Sequence, residues 1–294
     1  MKIITVVSGK GGTGKTSITA SLAVILSRKN KIVAVDCDVD APNLALALGL
    51  ERFSQKKKIS TSEKAKLVSM KGLSKEACKK LVGICNFGAI SFDGKNLTID
   101  KFLCEGCGAC SLLYPKNIKL VKVMNGNIMV GKTSYGFYLV SGQLEIGESG
   151  SGKIVTEVKN KAFKLANKEK ADIMLVDSAA GIGCPVIASL QGSDFVVAVT
   201  EPTPSAFNDL KRAIAITQHF MIPYGLIINK YDINKDFAKE IEEFARKNRI
   251  PVLGKIKYDK AFVTALTELK PIVVYKKSYA FIFEKILRKI FENL

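Results

Sequence analysis

The chain has 294 residues, 47% hydrophobic and 24% charged, which excludes wholesale disorder and a disulfide miniprotein and leaves room for about two domains around a sizeable core. Lys and Arg number 45 against 27 Asp and Glu, and the resulting +18 favours anionic partners such as nucleotides, nucleic acid, acidic lipid or acidic proteins without bearing on fold. A single histidine, His219, nearly excludes histidine triads and multi-histidine metal sites.

In chain order, Met1-Lys2-Ile3 runs into a short apolar strand at 3–7 with no signal-peptide pattern, and Gly9 to Gly14 break that strand. Ile18, Leu22, Ile25 and Leu26 then recur at helical spacing over 16–28. Further apolar strands are expected at 32–36, 172–177, 194–200 and 224–229, each ending in a polar residue, with helices at 205–219 and 235–247. Alternating strands and helices with continuously apolar strands predict an α/β fold: a mostly parallel sheet covered by helices on both faces. Ligands bind at the carboxyl ends of such strands. Residues 51–122 break the rhythm, carry 15 Lys and Arg against six acids and hold five of the seven cysteines. The expected organisation is one domain from 1–50 and 151–294, an insertion at 51–122 and a β-hairpin connection at 123–150. No apolar run reaches the ~18 residues a membrane span needs, so a cytoplasmic protein is expected. Residues 278–294 form an amphipathic helix with Phe283, Ile286, Leu287, Ile290, Phe291 and Leu294 on one face, expected to pack on the sheet.

Gly9-Lys10-Gly11-Gly12-Thr13-Gly14-Lys15-Thr16 follows a strand and opens a helix, the context a phosphate loop requires. Glycines let successive N–H groups turn toward phosphate oxygens, and the helix N-terminus adds positive potential. Lys15 is expected to reach the β/γ-phosphates and Thr16 to ligate Mg²⁺, with Ser17 beside them. The sequence Gly147-Glu148-Ser149-Gly150-Ser151-Gly152-Lys153 imitates a second loop, but Ile154 replaces the Mg²⁺-binding hydroxyl residue and a second nucleotide site is rejected.

The second lysine, Lys10, makes the loop similar to the deviant Walker A motif of the MinD/ParA superfamily, which includes the nitrogenase iron protein and Mrp-type carriers. The resemblance implies an ATP-closed homodimer in which Lys10 reaches the partner's phosphates. It aligns residues 36–43, from Asp36 to Asn43, with switch I, implying that Asp38 orients the attacking water and Asp36 lies near Mg²⁺. Residues 173–177 resemble Walker B, with Asp177 holding Mg²⁺ through water. Ser178-Ala179-Ala180-Gly181 takes the place of switch II, with alanines where the family usually has prolines. Asn229-Lys230-Tyr231-Asp232 resembles the adenine-reading segment.

Cys104-x2-Cys107-x2-Cys110, with Cys78 and Cys85 upstream, resembles a two-cluster bacterial ferredoxin written as two halves. The fourth cysteine of each half ligates the other cluster. One cluster would therefore take Cys85, Cys104, Cys107 and Cys110, all present. The other would take Lys75, Cys78, Leu81 and Tyr114, of which only Cys78 can ligate. One [4Fe–4S] cluster is expected; a Cys₄ zinc site, or a module that has lost both metals, stays open. Cys184, seven residues after Asp177, matches the offset of the bridging cysteine of the nitrogenase iron protein but is expected to be a buried structural residue.

These readings predict an ATP- and Mg²⁺-dependent hydrolase, slow and partner-stimulated, in which Lys10, Lys15 and Asp38 are catalytic. Its nucleotide state would govern an iron–sulfur insert for cluster delivery or electron transfer to a redox partner. Two alternatives stand beside it: a MinD/ParA-like positioning ATPase binding membrane or DNA, and an ATP-dependent amide ligase.

Overall fold

The computed structural model describes residues 1–294, which divide into two compact units. The first comprises Met1–Lys57, Ile128–Gln143 and Ser151–Leu294; the second comprises Lys58–Asn127 and Leu144–Gly150.

The chain opens with β1 (Lys2–Ser8), α1 (Lys15–Ser27), β2 (Ile32–Cys37), α2 (Leu44–Ala47) and β3 (Gln55–Ile59). Next come β4 (Ser62–Leu67), α3 (Lys75–Ile84), β5 (Ile90–Phe92), β6 (Leu97–Ile99), α4 (Ala109–Leu113) and β7 (Ile118–Val123). β8 (Gly126–Lys132), β9 (Tyr138–Leu144), α5 (Ser151–Glu169), β10 (Ile173–Ala180), α6 (Cys184–Leu190), β11 (Phe195–Thr200) and α7 (Pro204–His219) follow. The remainder is β12 (Tyr224–Asn229), α8 (Lys235–Lys247), β13 (Val252–Ile256), α9 (Ala261–Thr267), α10 (Ile272–Tyr275) and α11 (Tyr279–Glu292).

A nine-stranded sheet runs in the order β13-β12-β11-β1-β10-β2-β9-β8-β3. Every neighbouring pair from β13 to β9 is parallel. The central strands are buried on both sides because side chains alternate along them. Phe195, Val197 and Val199 pack with Leu22 of α1 and Phe283 of α11, whereas Val196 and Ala198 pack with Leu190 of α6, Leu210 of α7 and Ile241 of α8. Each buried valine, leucine, isoleucine or phenylalanine among them contributes about 1.5–3 kcal/mol of burial. The expected α/β architecture, a large and mostly parallel sheet with helices on both faces, is thus present.

Two differences from the sequence reading have local causes. The run Val252-Leu253-Gly254-Lys255-Ile256, diluted by a glycine and a lysine, gives little strand signal alone but pairs in parallel with β12. Within 123–150, β8 and β9 join through a tight turn in which Thr133 N donates to Phe137 O (2.8 Å), and both strands enter the main sheet because Val130, Leu139 and Val140 are apolar and buried.

α11 buries Tyr279, Phe283, Ile286, Leu287 and Ile290. Phe291, expected on that face, is 46% exposed, because it lies about 100° around the helix from Ile290. His219 ends α7 and is exposed. No helix is long and apolar enough to cross a membrane.

The second unit contains two antiparallel two-stranded sheets, β4–β7 and β5–β6, with α3 and α4. Its core is Cys78, Leu81, Ile90, Leu97, Cys110 and Ile118, with Cys85 and Tyr114 packed at the margin. Lys64, buried here, pairs with Glu148 (2.9 Å) and donates to Lys101 O (2.6 Å), tying the returning segment 144–150 into the unit.

Candidate functional site

The segment Gly9–Gly14 spans the carboxyl end of β1 and the first residue of α1. Gly12 and Gly14 adopt left-handed backbone (φ 83° and 90°), which glycine reaches without steric cost. Gly9 has a second constraint: a Cβ there would overlap the Asp209 backbone of α7. Gly11–Gly14 of the loop, with Ser8, Lys15, Thr16 and Ser17, line a cavity of about 460 Å³, to whose wall Gly9 and Lys10 do not contribute. Asp38, Asn43, Leu46, Ala47, Ala180, Leu266 and Leu269 complete its wall.

Under the loop lies a buried charge network. Lys15 Nζ is 2.9 Å from Asp177 Oδ1, and the side chains of Thr16 and Thr19 each donate to Asp177 (2.7 Å). Sheet register sets Asp36 of β2 directly beside Asp177 of β10. Burial, and then the neighbouring Asp177, holds the Asp36 carboxyl well above the usual carboxylate range. Asp36 accepts from the backbone N–H groups of Asp38 (3.2 Å) and Leu44 (3.0 Å), which fixes the turn of 36–43. Asp38 is half-buried at the cavity wall, and burial raises its pKa while Lys15 opposes the rise. Asp40 is exposed.

Asn229 and Lys230 come from 216 and 218 residues away in sequence and act on the loop's outer backbone: Asn229 Nδ2 donates to Thr13 O and Lys230 Nζ to Gly12 O, both at 2.8 Å. Lys230 also pairs with Glu201 (2.8 Å). Neither residue lines the cavity. Lys10 is half-buried, and its carbonyl accepts from Ser8 Oγ (3.0 Å). Gly181, with φ 97°, donates its N–H to Ser8 O (2.9 Å), tying the end of β10 to the loop. Ser178 Oγ is buried without a partner.

Sequence reading missed Thr19, Leu46, Leu266 and Leu269. Thr19 had a usable signal: it lies one helical turn after Lys15, on the same face. The two leucines come from α9 and its end, and only tertiary folding brings them to the loop. Cys184 is a correction. It was expected to be buried but is exposed, because it opens the surface turn of α6.

In the second unit, Cys85, Cys104, Cys107 and Cys110 line one small cavity together with Phe87, Ile90 and Ile99. Backbone N–H groups point at two of the sulfurs: Ala89 N donates to Cys85 Sγ and Ala65 N to Cys104 Sγ, both at 3.3 Å. Gly106 and Gly108 are left-handed, and a Cβ on Gly106 would overlap the Glu63 carbonyl. All seven cysteines are free thiols. No three His, Cys, Asp or Glu side chains come together closely enough to hold a metal ion.

The chain matches the family model described as the CobQ/CobB/MinD/ParA nucleotide binding domain over residues 4–272. It is 38% identical over 234 residues to an uncharacterised protein of Methanocaldococcus jannaschii, covering 79% of each chain. It is 23% identical over 309 residues to the iron-sulfur cluster carrier protein of Pyrococcus abyssi, covering 98% of this chain and 86% of that one. Among solved structures, the Pyrococcus furiosus cell division ATPase MinD aligns with TM-score 0.61 and 22% identity, over 99% of this chain and 98% of that one. A glycine loop between β1 and α1, a buried lysine–aspartate pair beneath it and a family match over most of the length agree: the chain belongs to the CobQ/CobB/MinD/ParA superfamily of P-loop ATPases.

Proposed function

We propose that this protein is a dimeric ATPase whose nucleotide state controls the inserted unit, and that this unit carries one [4Fe–4S] cluster for delivery or electron transfer to a redox partner. The observation that carries the reading is the convergence of Cys85, Cys104, Cys107 and Cys110 on one cavity, in a chain that also holds a phosphate loop.

The donor set suits such a cluster. Four thiols serve four irons, and N–H groups aimed at Cys85 and Cys104 stabilise sulfur carrying negative charge. The positions a second cluster would need are closed: Cys78 and Leu81 are buried in an apolar core with Tyr114 against it. When bound, the cluster would supply one-electron redox chemistry, or be the cargo itself. A relative carrying the name iron-sulfur cluster carrier protein supports the delivery form of this reading.

At the phosphate loop, Lys15 is the cation that meets the β/γ-phosphates, leaving Asp177 for Mg²⁺ with Thr16 and, nearby, Asp36. Mg²⁺ held by these residues would neutralise charge developing on the phosphates. Asp38, at the cavity wall, orients water for attack on the γ-phosphate. Lys10 supplies charge to the nucleotide of the partner protomer. Asn229 and Lys230 brace the loop and offer the remaining amide oxygen of Asn229 to the base. Turnover is slow until a partner completes the site.

A second reading, a positioning ATPase that binds membrane or DNA when closed on ATP, is favoured by the +18 charge and by the MinD-like fold. Anaerobic purification with iron and sulfide analysis, followed by vesicle and DNA co-sedimentation with and without ATP, separates the two. About four irons per chain and no nucleotide-dependent pelleting support the first. An iron-free protein that pellets only with ATP overturns it.

A further inference from the structure

We infer that the exposed apolar surface around Cys107 is the docking face for an acidic electron-carrier protein. This rests on the cluster reading above and names its partner class. Phe87 is 45% exposed, Phe102 57%, Leu103 50%, Leu112 84% and Leu113 43%. Each stands within three residues of a cavity-lining cysteine, and Phe87 lines the cavity itself. Cys107 is exposed, whereas Cys104 and Cys110 are buried. Phe87 shares the cavity with Cys107, and exposed large apolar side chains on the segments that carry the ligand cysteines are what a docking face requires.

Of the positions that would hold a second cluster, Cys78 and Leu81 are packed into the unit's own core and Tyr114 lies against it.

Charge selects the partner. Residues 58–127 and 144–150 hold 12 lysines, no arginine and seven acids. All of these lysines except Lys64 are exposed. Lys66 and Lys119 lie directly opposite each other across β4 and β7, and like charges so placed repel unless an anionic surface covers them. Lys101 stands over the Phe102 ring, 4.8 Å from its centre, so positive charge adjoins the apolar face itself. A partner with an apolar centre and a carboxylate rim fits this surface.

The test uses the full chain, purified anaerobically, with a fluorescently labelled acidic two-cluster ferredoxin as the probe and anisotropy as the readout. Affinity is expected to fall about tenfold between roughly 50 and 300 mM salt. Leu112→Glu and Phe102→Ser are expected to weaken binding about tenfold while iron content and ATP binding stay unchanged. Lys101→Glu is expected to weaken binding and flatten the salt dependence. No binding to an iron-loaded wild-type protein, or unchanged affinity in iron-loaded Leu112→Glu, overturns the docking face. So does a surface that instead captures anionic vesicles, duplex DNA or a second copy of the chain in a Leu112-dependent way. An iron-free wild type overturns the underlying cluster reading and is seen separately in the iron assay.

Discussion

Lys15 Nζ lies 2.9 Å from Asp177 Oδ1, with the two side chains 6% and 1% exposed. The lysine thus rests against the carboxylate, and in the proposed function a triphosphate draws it away. Thr16 holds the same aspartate, so the hydroxyl and the carboxylate proposed for Mg²⁺ already touch.

Lys15→Ala is expected to abolish ATP binding, read by fluorescent-nucleotide titration. It also leaves Asp177 buried without its cation. The expected loss is about 3 kcal/mol in urea unfolding, at the low end for a broken buried pair because Thr16 and Thr19 still donate to the carboxylate. Unchanged ATP turnover in this variant would remove the proposed site.

Lys10→Ala is expected to spare monomer nucleotide affinity within a few-fold and to prevent ATP-dependent dimers, because its proposed partner is the other protomer's phosphate. Light scattering with and without ATP reads this directly. Normal dimers would contradict the sandwich arrangement.

Cys85→Ser is expected to lose iron as fully as Cys107→Ser, although the two stand in different halves of the motif. Cys78→Ser should keep its iron, since Cys78 belongs to the apolar core. It should instead cost about 1–3 kcal/mol in thermal or chemical unfolding, the penalty for burying a hydroxyl. Full iron in the Cys85 variant would refute the crossed ligand set.

Asp259 links the loop after β13 to the C-terminal helices. Lys276 Nζ (2.8 Å), Ala261 N (2.8 Å) and Tyr279 OH (2.9 Å) all donate to its carboxylate and hold its pKa down at about 2. A carboxyl group depressed in the folded state contributes stability above its unfolded pKa, near 3.9, and loses it as pH falls through the folded value. Stability should therefore decline from about pH 4 toward pH 2. Asp259→Asn is expected to be less stable at neutral pH and flatter across that acid window. Parallel acid limbs for the two proteins would show that the contacts carry no linkage.

The phosphate loop was legible because it is contiguous. Glycines at 12 and 14 and a helix starting at Lys15 are local properties of backbone and composition, and any chain with that segment after a strand must present N–H groups there. The parallel α/β sheet was legible for the same reason: unbroken apolar strands alternating with 3.6-residue patterns specify burial on both faces. The tertiary structure decided what depends on pairing across long sequence separations. Strand register set Asp36 beside Asp177, and that proximity adds to the burial that raises the Asp36 pKa. Asn229 and Lys230 reached the backbone of Thr13 and Gly12 because β12 ends near the loop, not because of any local pattern. Leu266 and Leu269 joined the cavity wall in the same way. The ferredoxin resemblance grouped Cys85 with Cys104, Cys107 and Cys110 and set Cys78 apart; folding added that the four line one cavity and that Cys78 is packed into a core. Periodicity reports which side of an element is apolar; it does not report which distant element will lie against it.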